Sequence, residues 1–368
     1  MLSKRMITSL HEFAPPPGRG TPGNPGNRFE SMHVEVDGEA MDDLLASEGH
    51  GVPSRPLTTI HRDFSRSIIS RNESPDLRFH ASLNPYRGCE HGCAYCYARP
   101  YHEYLGFSAG LDFETRLMVK EDAPALLRKE LSAPAWAPQP LACSGITDCY
   151  QPVEKGLGIT RSCLQVLLDF RNPVAVITKN HLVTRDADLL TGLAAHQAAS
   201  VLLSLTSLDP GLARRMEPRA ASPGFRLRAI RDLADAGVPV GVSVAPVIPG
   251  LNDHEIPGIL DAAHSHGASF AAFSLLRLPH GVADLFMKWL DLHYPGRRHT
   301  VETRLRAMHG GELHQGRFGQ RMRGSGPEAQ LLENLFATSC RRIGLAPRSP
   351  ELSITSFRRV DQGQLWLF

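Results

Sequence analysis

Three cysteines, Cys89, Cys93 and Cys96, crowd into one short string, Cys89-Glu90-His91-Gly92-Cys93-Ala94-Tyr95-Cys96-Tyr97. The thiolate is the metal-binding form of cysteine. Three on one loop can each bind one iron of a cubane cluster. No fourth cysteine follows at matching spacing, so one iron would stay open to a substrate or cofactor. Gly92 lets the backbone wrap such a group without a clash. Two alternatives stand beside this reading. Structural zinc wants four ligands, often as two CxxC pairs. No second pair exists here, and His91 sits awkwardly between two of the thiols. Free buried thiols are the other alternative.

The chain has seven cysteines in 368 residues. An odd count in a long chain argues against a secreted disulfide framework and for a metal or redox role in the cytoplasm. Cys163 and Cys340 lie on apolar helical faces and read as core. Cys143 and Cys149 flank the end of a strand.

The elements around the cysteines must position them. Composition is ordinary: 42% hydrophobic, 21% charged, net charge +2. That excludes a chain disordered throughout. No apolar run approaches the roughly 18 residues of a membrane span. The N-terminus has Lys4 and Arg5 but no long apolar stretch, so no secretory signal is expected. Strands are predicted over 81–87, 141–146, 173–178, 200–206, 239–245 and 269–276. Helices are predicted over 122–131, 160–170, 222–236 and 256–265, then over 282–294 and 328–343. Val174-Ala175-Val176-Ile177 lacks strict alternation, as parallel strands covered on both faces do. Gly237 and Gly267 cap helices just before strands. The alternation reads as an α/β fold, a partial (βα)6 TIM-like barrel with a helical C-terminal extension and a flexible N-terminal tail. The expected division is 1–57 as a Pro/Gly-rich tail, 58–280 as the catalytic core, 281–360 as a basic helical extension and 361–368 as a candidate docking peptide.

Ligands of a βα array bind at the carboxyl ends of its strands. Those ends carry Ser144, Thr147 and Asp148, then Tyr150 and Glu154, then Lys179, Ser204 and Thr206, Ala245 and Arg277. Lys179 is one of only six lysines, and it closes an apolar strand. Hydroxyls and a lysine suit a ligand with a carboxylate, an amine and ribose hydroxyls. Asp148, Tyr150, Glu154 and Arg277 are the substrate candidates. For Ser204 and Thr206, hydroxyls packed within a strand are an equal alternative, and Glu154 also reads as a surface carboxylate.

The cysteine loop after the first of six βα units, with Tyr95 before the last cysteine, resembles the radical S-adenosylmethionine (SAM) superfamily. The resemblance covers residues 80 to 280. The wider string Asn84-Pro85-Tyr86-Arg87-Gly88-Cys89 through Tyr97-Ala98-Arg99-Pro100 is similar to the spore-photoproduct-lyase-like branch. So are Ser144-Gly145-Ile146-Thr147-Asp148 and Thr178-Lys179-Asn180. The resemblance implies that Cys89, Cys93 and Cys96 hold a [4Fe–4S] cluster whose open iron chelates SAM. A one-electron reductant of flavodoxin or ferredoxin type would then drive formation of a 5′-deoxyadenosyl radical that abstracts hydrogen. It implies SAM contacts at Tyr97, Ser144, Lys179, Ser204 and Ala245. It suggests Cys143 as a hydrogen donor, although Ala142 lies nearer the matching position. The implied activity is lyase-type repair of a damaged DNA base. RNA, a peptide or a small metabolite are alternative substrates, and a non-catalytic iron–sulfur module that associates with DNA is the alternative class.

From residue 281 onward there are 13 basic and 8 acidic residues, a net of +5. Arg297, Arg298, Arg304, Arg306, Arg317, Arg321 and Arg323 cluster there, as a phosphate-binding stripe would or as a solvated face would. The last residues, Gln364-Leu365-Trp366-Leu367-Phe368, resemble the peptide that docks on the bacterial DNA sliding clamp. Leu365, Leu367 and Phe368 would fill an apolar groove and Gln364 would anchor it. A tail tucked onto the chain's own core is the alternative.

Overall fold

The computed structural model describes residues 14–29, 56–77 and 79–360. Its strands in chain order are β1 (Thr59–Arg62), β2 (Ile69–Arg71), β3 (Ala81–Leu83), β4 (Tyr86–Arg87), β5 (Arg116–Val119), β6 (Leu141–Cys143), β7 (Val174–Thr178), β8 (Ala199–Ser204), β9 (Val240–Val247) and β10 (Phe270–Leu275). The larger sheet has the order β10-β9-β8-β7-β6-β3-β2. From β3 to β10 every pairing is parallel, and β2 adds an antiparallel edge. Parallel neighbours need crossovers. Helices Ala123–Ser132, Ile159–Phe170, Ala187–Ala194, Pro223–Asp235 and Ile256–Ser265 lie between them. Six parallel strands in sequential order are the expected α/β array. Among the described residues no pairing closes β10 onto β3, which is consistent with a partial barrel.

Burial explains the order. Helix Ile159–Phe170 buries Ile159, Cys163, Leu164, Val166, Leu167 and Phe170, one stripe at helical spacing. The stripe packs against Val174, Val176, Val201 and Leu203 of the sheet in one core cluster. Each such side chain contributes about 1.5–3 kcal/mol on leaving water. Cys163 and Cys340 both sit in this core.

Two predicted strands are shorter than their apolar runs. The first stops at Leu83, because Pro85 has no N–H to donate. Tyr86–Arg87 then joins a separate small sheet in the order β1-β5-β4. The second stops at Cys143, because Ser144 turns to φ 84°, which a strand cannot continue. The sequence-based reading also missed helix Pro295–Met308, which buries only Val301, Leu305 and Met308. So thin a stripe among arginines carries little periodic signal. With Val282–His293 and Gly326–Ile343 it forms the helical extension. No helix among the described residues is long and apolar enough to cross a membrane.

Residues 14–29 correct the flexible-tail expectation for that stretch. Proline and glycine deny it regular structure, yet its polar groups find fixed partners. Gly20 N and Thr21 Oγ1 donate to the Glu114 carboxylate at 2.9 and 3.0 Å. The Arg19 guanidinium donates to Glu114 O at 2.8 Å. Asn27 Nδ2 donates to Glu103 O at 2.9 Å, and Leu111 N donates to Gly23 O at 3.0 Å. The segment is a strap across the cysteine loop. The remainder of the tail (1–13 and 30–55) and the candidate clamp peptide with Gln364, Leu365, Leu367 and Phe368 lie outside the described residues.

Gly20 meets Gly92 so closely that a Cβ on it would stand 1.6 Å from Gly92 O. Gly20→Ala is therefore expected to lower stability by about 1–3 kcal/mol. Gly23→Ala, whose Cβ would meet nothing within 4 Å, is expected to change it little. Thermal unfolding of both variants checks this, and equal melting temperatures would dismiss the strap.

Candidate functional site

Side chains alternate across a strand, and the register sorts the sheet into two faces. One row runs Leu83, Cys143, Val176, Val201 and Val240. The Cys143 thiol lies against Cys149 and near Cys163 of helix Ile159–Phe170, so this row faces the helices. The other face carries Ser82, Ala142, Ala175 and Ser200 in one row and Ser204 beside Ser243 in another. Small and hydroxyl side chains there leave an inner face open to a polar ligand. Cys143 is fully buried on the wrong side for a hydrogen donor. Ala142, its neighbour in the strand, turns inward. Period two overrides the sequence match at Cys143.

Because the strands are parallel, their carboxyl ends share one edge. The cysteine loop follows β3 at that edge. Ser144 follows β6, Lys179 follows β7, Ser204 ends β8 and Ala245 lies near the end of β9. Cys89, Cys93 and Cys96 carry free thiols, the first two buried and the third partly so. Ala98 and Phe113 pack against Cys89 and Cys96. Burial pushes the Cys93 and Cys96 thiols up, and the Cys93 thiol feels both of the others. Among the described residues no three His, Cys, Asp or Glu side chains converge on a single-ion site. A cubane takes one thiolate per iron, so its sulfurs need not converge on one point. Three mutually close thiols with cations beside them fit such a cluster with one iron left open.

The cations are held by two networks. His91, buried in the loop, sets Nδ1 at 3.4 Å from Asp148. Burial opposes its charge, but Asp148 and Cys89 outweigh it and lift the imidazole to about 9. Asp148 also accepts from Thr178 Oγ1 and Lys179 N, each at 2.7 Å. Burial raises its carboxyl, yet His91 and these donors bring it down to about 2. Asp148 thus pins the end of β7 to the cysteine loop. It positions the site.

The second network is centred on buried Glu217. Its carboxylate accepts from Tyr95 OH and from Arg226, and from Thr206 Oγ1 at 2.6 Å. Lys179 Nζ lies 6.0 Å from the Tyr95 ring centroid. Burial works against its ammonium, but Cys93 and Glu217 hold it above its ordinary value. A charged lysine beside the thiols is placed to meet a ligand carboxylate. Glu217 and Arg226 were missed in the sequence. One signal was available: Arg226 falls on the stripe of Ala229, Ile230 and Leu233 in helix Pro223–Asp235, where an arginine needs a buried partner.

Of the other candidates, Tyr97 donates to Gly145 O at 3.1 Å, and the Arg277 guanidinium lies over its ring at 4.8 Å. These two residues come together at the edge. The Ser144 hydroxyl donates to Thr147 O inside its own turn. Ala245 O accepts from Thr206 Oγ1 at 3.4 Å. Tyr150 and Glu154 are corrected as substrate contacts. Both are fully buried. Tyr150 OH donates to Asp186 at 3.0 Å, and Glu154 accepts from Tyr86 OH, Thr160 N and Arg185. The basic extension is largely neutralised. Arg298 pairs with Asp291 and Glu302, Arg304 with Asp253 and Glu328, Arg306 with Glu302, and Arg323 with Glu333. That is the pattern of a solvated face.

The Radical SAM superfamily model matches residues 83–263. An uncharacterised protein of Mycobacterium tuberculosis is 35% identical over 279 residues, 73% of this chain and 82% of the relative. One of Methanocaldococcus jannaschii is 29% identical over 214 residues, 58% of this chain and 76% of the relative. Among solved structures, spore photoproduct lyase complexed with dinucleoside spore photoproduct shares the fold. Its TM-score is 0.53 at 17% identity, covering 82% of this chain and 87% of that one.

Glu217 generates a test. Burial raises its carboxyl, but Arg226, Lys179 and the two hydroxyls bring it from 4.5 down to about 2. A depressed folded value stabilises above the unfolded one and is lost as pH falls from about 4.5 toward 2. Glu217→Gln is expected to cost about 3 kcal/mol at pH 7, because Arg226 is left buried without its counter-charge. Its melting temperature should approach that of the parent as pH falls from about 4.5, and converge on it below about pH 2. Melting curves across pH read this, and a constant gap would refute it.

Proposed function

Because the chain belongs to the radical SAM superfamily, which uses a [4Fe–4S] cluster and SAM, we propose that it is a lyase-type enzyme acting on a damaged base in DNA. The observation that carries the reading is the meeting of Cys89, Cys93 and Cys96 with charged Lys179 at the carboxyl edge of an inner face of small and hydroxyl side chains. When bound, the reduced cluster supplies the electron that splits the SAM sulfonium, so that hydrogen abstraction can begin.

The chain's own residues do the rest. The three thiolates hold the iron, and the loop hangs from Asp148 through His91. Lys179 supplies a positive charge for the SAM carboxylate, fixed by Glu217. Tyr97, Ser144, Ser204 and Ala245 border the same edge. Buried walls from Ala94, Leu276 and Leu278 exclude water near Cys93. A fold neighbour complexed with a dinucleoside photoproduct supports the base as substrate. A flavodoxin or ferredoxin would deliver the electron, and the last residues would tether the enzyme to the sliding clamp.

The test is anaerobic turnover of the reconstituted protein with SAM, reductant and UV-irradiated DNA in deuterated water. Release of 5′-deoxyadenosine and repaired thymine is expected. Alanine at Cys89, Cys93 or Cys96 should remove both products and the cluster's visible absorbance. Cleavage of SAM without any change in the DNA would reject the substrate, and no cleavage at all would reject the enzyme.

A further inference from the structure

Beside the edge that carries the cysteine loop, a cavity of about 210 Å³ opens between Tyr97, Arg277, His280, His314, Arg28 and Arg321. Two of its cations are already neutralised. Arg28 pairs with Glu103 and Arg321 with Asp76, each at 2.5 Å. Arg277 differs. It forms no ion pair among the described residues, its Nε is buried without a partner, and its guanidinium rests on the Tyr97 ring. His314 Nδ1 is likewise buried and unpartnered. His314 feels Arg277, His309, His280 and Arg321. Two orphaned nitrogens, Arg277 Nε and His314 Nδ1, therefore line one cavity. Folded chains satisfy such groups. The guanidinium Nε–H is a donor, and His314 Nδ1 donates in one tautomer of its neutral ring, so the two lining the cavity can meet one acceptor. His280 at the rim holds φ 51°, a conformation that costs free energy and gathers at ligand sites.

The missing acceptor must carry negative charge, to face an unneutralised guanidinium, and several oxygens, to meet donors from different directions. A phosphoryl group has both. Tyr101 and Tyr104 line the same cavity and are exposed, and an aromatic face at a phosphate site suits a nucleobase. We propose that this cavity binds a phosphoryl group of the substrate beside the reacting nucleoside, with Arg277 as its counter-charge. The inference rests on the radical SAM reading and adds the chemical handle by which the substrate is held. A free nucleotide and a strand share that handle.

The reconstituted holoprotein, without reductant, is titrated calorimetrically with thymidine, thymidine 5′-monophosphate, short oligothymidylate and inorganic phosphate. A phosphate-bearing probe should bind at least about tenfold tighter than thymidine, and inorganic phosphate should compete. Arg277→Gln and His314→Gln should each remove that advantage. Arg297→Gln, which lines no part of the cavity, should keep it. Binding of the mononucleotide assigns a free nucleotide, and binding of the oligonucleotide alone assigns a strand. Thymidine binding as tightly as its phosphates, no binding of any phosphate-bearing probe, or an unchanged advantage in both variants overturns the proposal. If Arg277→Gln fails to fold by circular dichroism, His314→Gln decides. SAM cleavage on the same samples with reductant keeps the two readings apart. Phosphate preference without cleavage rejects the enzyme only, and cleavage without phosphate preference rejects the cavity only.

Discussion

Behind the cysteine loop, Arg99 and Glu114 face each other at 2.6 Å with neither side chain exposed. Arg99 also donates to Cys93 O and to the carbonyls of Ala109 and Gly110. Glu114 in turn receives Gly20 N and Thr21 Oγ1 from the strap. The loop itself is neither helix nor strand, so its backbone has few partners of its own. The pair supplies them. Removing one partner of a buried pair costs about 3–5 kcal/mol, because the other charge is stranded. The shape of the cysteine loop therefore hangs on a salt bridge in which no thiol takes part.

The same logic recurs at each layer outward. Asp148 couples the loop to β7 through His91, and Glu217 couples it to β8 and to helix Pro223–Asp235 through Tyr95, Thr206 and Arg226. Both carboxylates stay ionised against burial because cations and hydroxyls surround them. Their product is a charged Lys179 in a half-buried place beside thiols. An isolated lysine there would tend to lose its proton.

What the sequence made legible was local. The CxxxCxxC spacing, the six apolar runs and the capping glycines each depend on residues within one element, and each survives in the fold. What stayed hidden depends on distant pairs. Nothing near Glu154 tells that Tyr86 and Arg185 will enclose it, so a buried anchor read as a surface or substrate carboxylate. Nothing in a Pro/Gly-rich stretch tells that a carboxylate 94 positions away will order it. Cys143 failed for a different reason. Its neighbourhood in sequence matched, but one step along a strand reverses the face. The arginine cluster stayed open between two readings for a reason of arithmetic: net charge counts cations, whereas a binding stripe needs cations without partners, and only the structure shows which are paired.

The contact between Gly20 and Gly92 is unequal from its two sides. Neither position tolerates a side chain while the other stays in place, since a Cβ on Gly20 would overlap the Gly92 carbonyl and one on Gly92 would crowd Glu114. Two glycines far apart in sequence thus close around one carboxylate, with Gly20 N donating to Glu114 and Gly92 packed on it at φ 65°. A retreat of the strap would make room at Gly20, whereas Gly92 stays constrained by Glu114 and by its own φ of 65°, so the contact yields from the strap's side and not from the cysteine loop's.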